Sequence, residues 1–213
     1  RLCLESGIGS SRPDTRGGKQ IGDVEIMIKH NDRKHTTTLA GGCFWCLEAI
    51  FKELQGVTQV VSGYSGGDTP NPSYQQVCTG ATGHAEVVQI SFDPGIITYK
   101  EILNVFFSIH DPTTLNRQGY DIGKSYRSVI FGHNAEQETI ATTTIKELDE
   151  ARLWDNPIVT EVYPLSTFYL AEDYHQEFYL KNEFQPYCQV VISPKVSKFR
   201  AEHLDKLKPT TLS

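Results

Sequence analysis

The chain has 213 residues, 38% of them hydrophobic and 22% charged, with a formal net charge of -6. That is enough apolar side chain for one domain with a real core, and too acidic a balance for non-specific binding to nucleic acid or an anionic membrane; no apolar run approaches the roughly 18 residues of a membrane span. Five cysteines are odd in number and sparse for this length, which argues against a secreted disulfide framework and for a reducing compartment, the cytoplasm, in which any disulfide is catalytic.

The first residue is Arg, and residues 1–22 lack the apolar stretch of a secretory signal. They are expected to be a disordered leader or expression remnant, with Cys3 exposed and incidental; its Arg and Ser residues leave open the tail of an organelle transit peptide. One catalytic domain is expected over residues 23–207, with a disordered tail at 208–213. Val24 to Lys29 should begin ordered structure as a short strand. Lys34 to Ala40, with three consecutive threonines, reads as a strand.

Gly41-Gly42-Cys43-Phe44-Trp45-Cys46 follows, and behind it Leu47, Ile50, Phe51 and Leu54 fall at the spacing of a helical stripe. The glycines allow a sharp turn and close backbone approach. Cys43 is therefore expected on the first turn of a helix, where free N–H groups and the positive dipole end favour an anion. Such a thiol should have a lowered pKa, and its thiolate is the nucleophile. On the residues alone, Cys43 could also be a small buried hydrophobe, and Cys-x-x-Cys fits a redox dithiol or half of a zinc site. No second Cys-x-x-Cys is present, which disfavours zinc. Phe44 and Trp45 are either core or the walls of an apolar pocket suited to a thioether or methyl group.

Val57 to Tyr64 reads as a strand, and residues 65–74 as a long, turn-rich loop of the kind that carries function. Cys78, in an apolar context, is expected to be buried. His84 reads as a structural hydrogen-bonder, and Glu86 leads into a buried strand running to Phe92. Thr98-x-x-Glu101 is a capping-box pattern before a helix bearing Ile102, Val105, Phe106 and Ile109. Asp111 to Lys124 is another polar loop and Tyr126 to Phe131 a strand. Asn134 opens a helix through about Leu153, with Ile140, Thr144, Ile145 and Leu148 inward. Ile158 to Tyr163 is a strand, Asn182 to Tyr187 a loop, and Cys188 to Ile192 a stiff apolar segment. Pro194 to Leu207 reads as an amphipathic helix with Val196, Phe199, Leu204 and Leu207 on one side. The mixture points to a single α+β domain.

Gly-Cys-Phe-Trp with its Glu-bearing helix resembles the A-type methionine sulfoxide reductases. So do Gly63-Tyr64-Ser65-Gly66-Gly67, Asn71-Pro72-Ser73-Tyr74, the run from Arg117 to Ser128, and Phe168 to Gln176, in which Tyr174 stands where an acidic residue is common. The resemblance covers roughly residues 36 to 192. It implies a two-layer α/β sandwich with a mixed β-sheet and no metal or organic cofactor. It further implies a catalytic set of Cys43, Glu86, Tyr74, Tyr126 and Asp121, with Phe44 and Trp45 holding the substrate's methyl. Many relatives resolve the oxidised nucleophile with a cysteine in a Gly-rich tail at the position of Cys188. Here that tail is apolar, and Cys46 stands where Gly is common, so Cys46 is expected to resolve, with Cys188 the alternative. The implied reaction reduces methionine S-sulfoxide, free or in oxidised proteins, through a Cys43 sulfenic acid and a disulfide that thioredoxin reduces, in a monomer. The rival readings are a thioredoxin-like disulfide oxidoreductase, a Cys-His hydrolase and a metal-binding Cys-x-x-Cys module.

Overall fold

The computed structural model describes residues 35–209. The expectations for the leader, Cys3, the strand at Val24 to Lys29 and the last four residues lie outside the described residues.

A six-stranded sheet runs in the order β7-β6-β1-β3-β2-β8, built from β1 (His35–Gly41), β2 (Val57–Ser65), β3 (Ala85–Phe92), β6 (Ser128–Gly132), β7 (Glu161–Pro164) and β8 (Phe168–Leu170). Only β6 and β7 pair in parallel; the other neighbours are antiparallel, so the sheet is mixed. The helices are α1 (Phe44–Phe51), α2 (Tyr74–Cys78), α3 (Tyr99–Ile109), α4 (Ala135–Glu150), α5 (Phe178–Lys181) and α6 (Ser193–Glu202). The α+β two-layer arrangement follows from strand alternation. Leu39 sits opposite Val88 and Ile130, and all three face the main core with α1 and α3. Ala40, Ala85, Val87, Val129 and Phe131 form a smaller cluster on the other face, under Leu165 and Phe168. Glu86 shares the period-two face of Val88, Ile90 and Phe92, so its side chain points to the layer that contains α1.

Local signals explain most boundaries. Thr98 and Glu101 make both bonds of the capping box, and Ile102, Val105 and Phe106 are buried behind it. The Asn134 side chain caps α4 by accepting from Gln137 N–H. Other boundaries differ from expectation. Tyr74 to Cys78 form a short helix inside the long loop, opened by a Ser73–Gln76 capping box. On it Val77 takes the buried side, and Cys78, expected to be buried, is exposed. A small hairpin, β4 (Arg117–Gln118) with β5 (Asp121–Ile122), organises the second polar loop. Tyr126 ends a 3-10 turn ahead of β6 rather than lying in the strand. α4 stops at Glu150, leaving Leu153 63% exposed.

The carboxyl-terminal segment departs most. Cys188–Ile192 is a π-helical turn that runs directly into α6. α6 ends at Glu202, Leu204 is 77% exposed, and Leu207 pairs with Leu54 instead. The cause is backbone pairing: Gln55 N–H donates to Lys206 O and Lys208 N–H to Glu53 O, each at 2.8 Å, which replaces further helical bonds. For the same reason Leu54 is fully buried although it lies beyond the last residue of α1.

Candidate active site

β1 delivers the chain to α1 through two glycines. Gly42 has φ 95°, and a Cβ there would lie 2.6 Å from Gln118 Cγ; one on Gly41 would lie 2.7 Å from Phe106 Cε2. Any larger residue would push β4 or α3 away. Cys43 is the N-cap of α1, in extended geometry, so its carbonyl accepts from Cys46 N–H at 3.1 Å and Leu47 N–H at 3.4 Å. The next amide, Phe44 N–H, donates to Glu86 Oε2 at 3.1 Å. Glu86 is 2% exposed. Burial pushes its carboxyl well above the ordinary carboxylate range, with the Cys43 sulfur adding to the rise and the Phe44 amide partly opposing it.

Cys43 is 6% and Cys46 4% exposed. The expected lowering of the Cys43 pKa is not found. Burial pushes that thiol up, and its contact with Cys46 adds to the rise; the Tyr187 hydroxyl and Trp45 N–H act against it more weakly. The physical reason is that one helix-start amide is occupied by Glu86, while desolvation disfavours a charged sulfur. The Cys46 thiol is held below its usual value, first because its sulfur accepts a hydrogen bond from the Cys43 S–H and then through Lys195, whose Nζ is 3.9 Å from Cys46 Sγ; burial opposes both. Of the two thiols, Cys46 is thus the one that gives up its proton more readily.

Aromatic side chains surround the pair. Phe44 packs on Tyr64, Tyr74 and His175, with ring centroids at 5.9, 6.5 and 5.0 Å. Trp45 stacks on Phe178 at 3.6 Å and 7° and meets Tyr187 edge-on. The Trp45 indole N–H donates to His175 Nδ1 at 3.1 Å, so the proton of this buried imidazole belongs on Nε2. Glu172 ties the wall together: Tyr64 OH and Tyr74 N–H each donate to it at 2.8 Å. Tyr187 OH donates to Asp121 Oδ2 at 3.1 Å. Burial pushes the hydroxyls of Tyr74, Tyr126 and Tyr187 upward, so all three stay protonated donors.

The structure therefore brings Cys43, Cys46, Phe44, Trp45, Tyr74, Glu86, Asp121 and Tyr126 to one place. Cys188 is fully buried in the π-helical turn next to Tyr187. His84 is a loop tie, accepting Gly67 N–H at Nδ1 and meeting Thr69 O at Nε2. Sequence reasoning assigns no role to Glu172, His175, Tyr187 or Lys195. Glu172 and His175 lie inside the Phe168 to Gln176 run, which is the signal that points to them. Lys195 carries no sequence signal, since it is 149 residues from Cys46. Among the described residues, no three His, Cys, Asp or Glu side chains gather so as to hold a metal ion, and no helix is long and apolar enough to cross a membrane.

Comparison with known proteins converges on one family. The model of the family described as peptide methionine sulfoxide reductase matches residues 35–208. The chain is 58% identical over 171 residues to the peptide methionine sulfoxide reductase MsrA of Saccharolobus solfataricus, covering 80% of this chain and 96% of that one. It is 50% identical over 185 residues to that of Polynucleobacter asymbioticus, covering 87% and 97%. Among solved structures it resembles reduced Mxr1 from Saccharomyces cerevisiae, with TM-score 0.67 and 37% identity over 76% of this chain and 94% of that one. It also resembles methionine sulfoxide reductase A of Corynebacterium diphtheriae, with TM-score 0.65 and 35% identity over 73% and 78%.

Proposed function

The chain belongs to the peptide methionine sulfoxide reductase family, an oxidoreductase family that reduces methionine sulfoxide at the expense of thiols, and from this we propose that Cys43 is the nucleophile, Glu86 the proton donor and Cys46 the resolving thiol. The observation that carries the assignment is the buried Glu86 carboxyl at the start of α1, held by the amide that follows Cys43. A sulfoxide oxygen must leave protonated, and a carboxyl kept protonated by burial beside a thiol meets that need.

Cys43 passes its proton to Cys46 and attacks the sulfoxide sulfur as a thiolate. Glu86 protonates the oxygen, while the Tyr74 and Tyr126 hydroxyls donate hydrogen bonds to it. The sulfur–oxygen bond of the substrate breaks, methionine leaves, and Cys43 becomes a sulfenic acid. Cys46 then attacks that sulfur; the Cys43–Cys46 disulfide forms and the hydroxyl leaves as water, taking a proton from the site. A dithiol of the thioredoxin type restores both thiols by exchange. Asp121 orients the polar side of the pocket through Tyr187. Phe44 and Trp45 receive the methyl group, and the S epimer is the one the family resemblance implies. At 6% exposure Cys43 is nearly covered, with the Tyr187 hydroxyl in hydrogen-bond contact with its sulfur.

Free methionine sulfoxide and oxidised proteins are the proposed substrates, consistent with protein repair under oxidative stress. One catalytic domain spanning residues 23–207, acting as a monomer in a reducing compartment such as the cytoplasm, completes the reading. The test is turnover of stereochemically pure methionine S-sulfoxide by the parent and Cys43→Ser. Loss of reduction is expected, and full turnover by the variant would sink the assignment.

A further inference from the structure

Lys195 has no place in the reaction just described, yet it is the cation nearest the dithiol. Its Nζ is 3.9 Å from Cys46 Sγ, and among the described residues it forms no ion pair with a carboxylate. One turn further along α6, Lys198 pairs with Glu202 in the ordinary way of a surface lysine. Lys195 is half-buried where α6 crosses α1, beside the buried Val196, and Cys46 is 4% exposed. An ammonium brought to a buried sulfur in this way is placed to act on that sulfur.

We propose that Lys195 is a positioning residue for disulfide formation, holding Cys46 as a thiolate aimed at the oxidised Cys43. This rests on the reading of Cys46 as the resolving thiol. Cys46 gives up to the site the proton it took from Cys43, its thiolate forms a bond to the Cys43 sulfur, the sulfur–oxygen bond of the sulfenic acid breaks, and the hydroxide leaves as water with that proton. Cys43 has already been oxidised by the sulfoxide, so no further oxidant is needed. The groups acting on Cys46 are Cys43 at the start of α1, Lys195 on α6, Asp121 on β5, Glu86 on β3 and Tyr187 ahead of the π-helical turn. Asp121 and Glu86 raise the thiol's pKa, and Lys195 is the cation that lowers it. Once Cys43 is a sulfenic acid, it no longer donates its thiol proton to Cys46. Lys195 is then the group left to favour the charge.

An opposite charge at this distance moves a pKa by about 1 or more. Removing it leaves about tenfold less thiolate at neutral pH, partly offset because a more basic thiolate is about threefold more nucleophilic. The experiment is a single turnover with methionine sulfoxide, with thiol loss and dimedone-trapped sulfenic acid followed against pH in the parent, Lys195→Met, Lys195→Arg and Lys198→Met. Thermal midpoints check that each variant is folded. Lys195→Met should slow disulfide formation about three- to tenfold near pH 7, accumulate sulfenic acid, and move the pH profile of that step up by about one pH unit. Lys195→Arg should recover most of the rate, and Lys198→Met should match the parent. An unshifted profile in Lys195→Met, or the same displacement in Lys198→Met, overturns the role of Lys195 while the Cys43–Cys46 disulfide, read by peptide mapping, still stands. A Cys43–Cys188 disulfide in the parent removes the resolving assignment itself, and this inference with it.

Discussion

Glu86 reaches from the middle of the sheet to accept the backbone N–H of Phe44 at 3.1 Å, so a carboxyl and the nucleophile's own helix start are joined by one hydrogen bond. That contact fixes the proton source relative to the sulfur and uses a helix-start amide that would otherwise stabilise a thiolate. The two residues are 42 apart in sequence, and the register of β1 with β3 sets their approach.

Glu86→Gln should slow methionine formation in a single turnover by about 100-fold or more, the usual contribution of a positioned acid. The amide still accepts from Phe44, so the site should keep its shape. In the parent, burial raises the folded pKa, so the rate should persist above the ordinary carboxylate range and fall as pH rises through that raised value. An equal rate for the two proteins across pH would remove Glu86 from the acid role.

The raised carboxyl also has a stability consequence. A carboxyl whose folded pKa lies above its unfolded one contributes stability below the unfolded pKa and loses it as pH rises through the folded value. Each pH unit that separates the two pKa values is worth about 1.4 kcal/mol, or about 3 °C in melting temperature. Glu86→Gln should therefore melt at a higher temperature than the parent at pH 8 and show little gain at pH 4. Calorimetry at the two pH values checks the sign.

Cys46→Ser should release about one methionine per enzyme and then stop when supplied with thioredoxin, whereas Cys188→Ser should continue to cycle. Cys188 is fully buried in a π-helical turn, near enough for the Cys43 sulfur to raise its pKa, but the thiol in hydrogen-bond contact with Cys43 is Cys46. Steady turnover by Cys46→Ser together with a stalled Cys188→Ser would exchange the two roles.

His175 accepts the Trp45 indole N–H and packs on Phe44 and Tyr74. Losing a hydrogen bond of about 1 kcal/mol with an aromatic contact of similar size should raise KM about 30-fold in His175→Ala and change kcat little. Steady-state kinetics decide: a fall in kcat at constant KM would mean that His175 acts on the reacting atoms.

Glu48 is 2% exposed, and both its oxygens accept from Glu177 N–H at 2.9 Å. Glu177 has φ 57°, and it precedes Phe178, which stacks on Trp45. Glu48→Ala leaves that amide without its partner, at about 1–3 kcal/mol. The melting temperature should drop by about 5 °C, with altered emission from Trp45. Glu48→Gln, which keeps an acceptor, should recover much of it. Equal melting temperatures for parent and Glu48→Ala would contradict the anchoring role.

Local patterns carry much of the fold. The threonine strand, the Gly-Gly turn into a helix, the Thr98 capping box and the Asn134 cap are each decided within a few residues, because capping and side-chain periodicity act over one or two turns. The short helix after Ser73 escapes a reading of the sequence although its capping box is present, since the turn residues before it dominate the window. The tail helix is shorter than its pattern suggests, because periodicity cannot reveal that Lys206 and Lys208 pair their backbone with residues 53–55.

By itself the sequence determined the thiol pair, its aromatic neighbours, the family and the α+β class, all of which reside in contiguous motifs. Only the tertiary structure decided the electrostatics of the site. It placed Glu86 on the Phe44 amide, closed Tyr187 and α6 over the sulfurs, and set Lys195 beside Cys46. Desolvation and through-space charge depend on distances between segments far apart in the chain, so the sequence, which places Cys43 at a helix start, leads to the wrong sign for its pKa change.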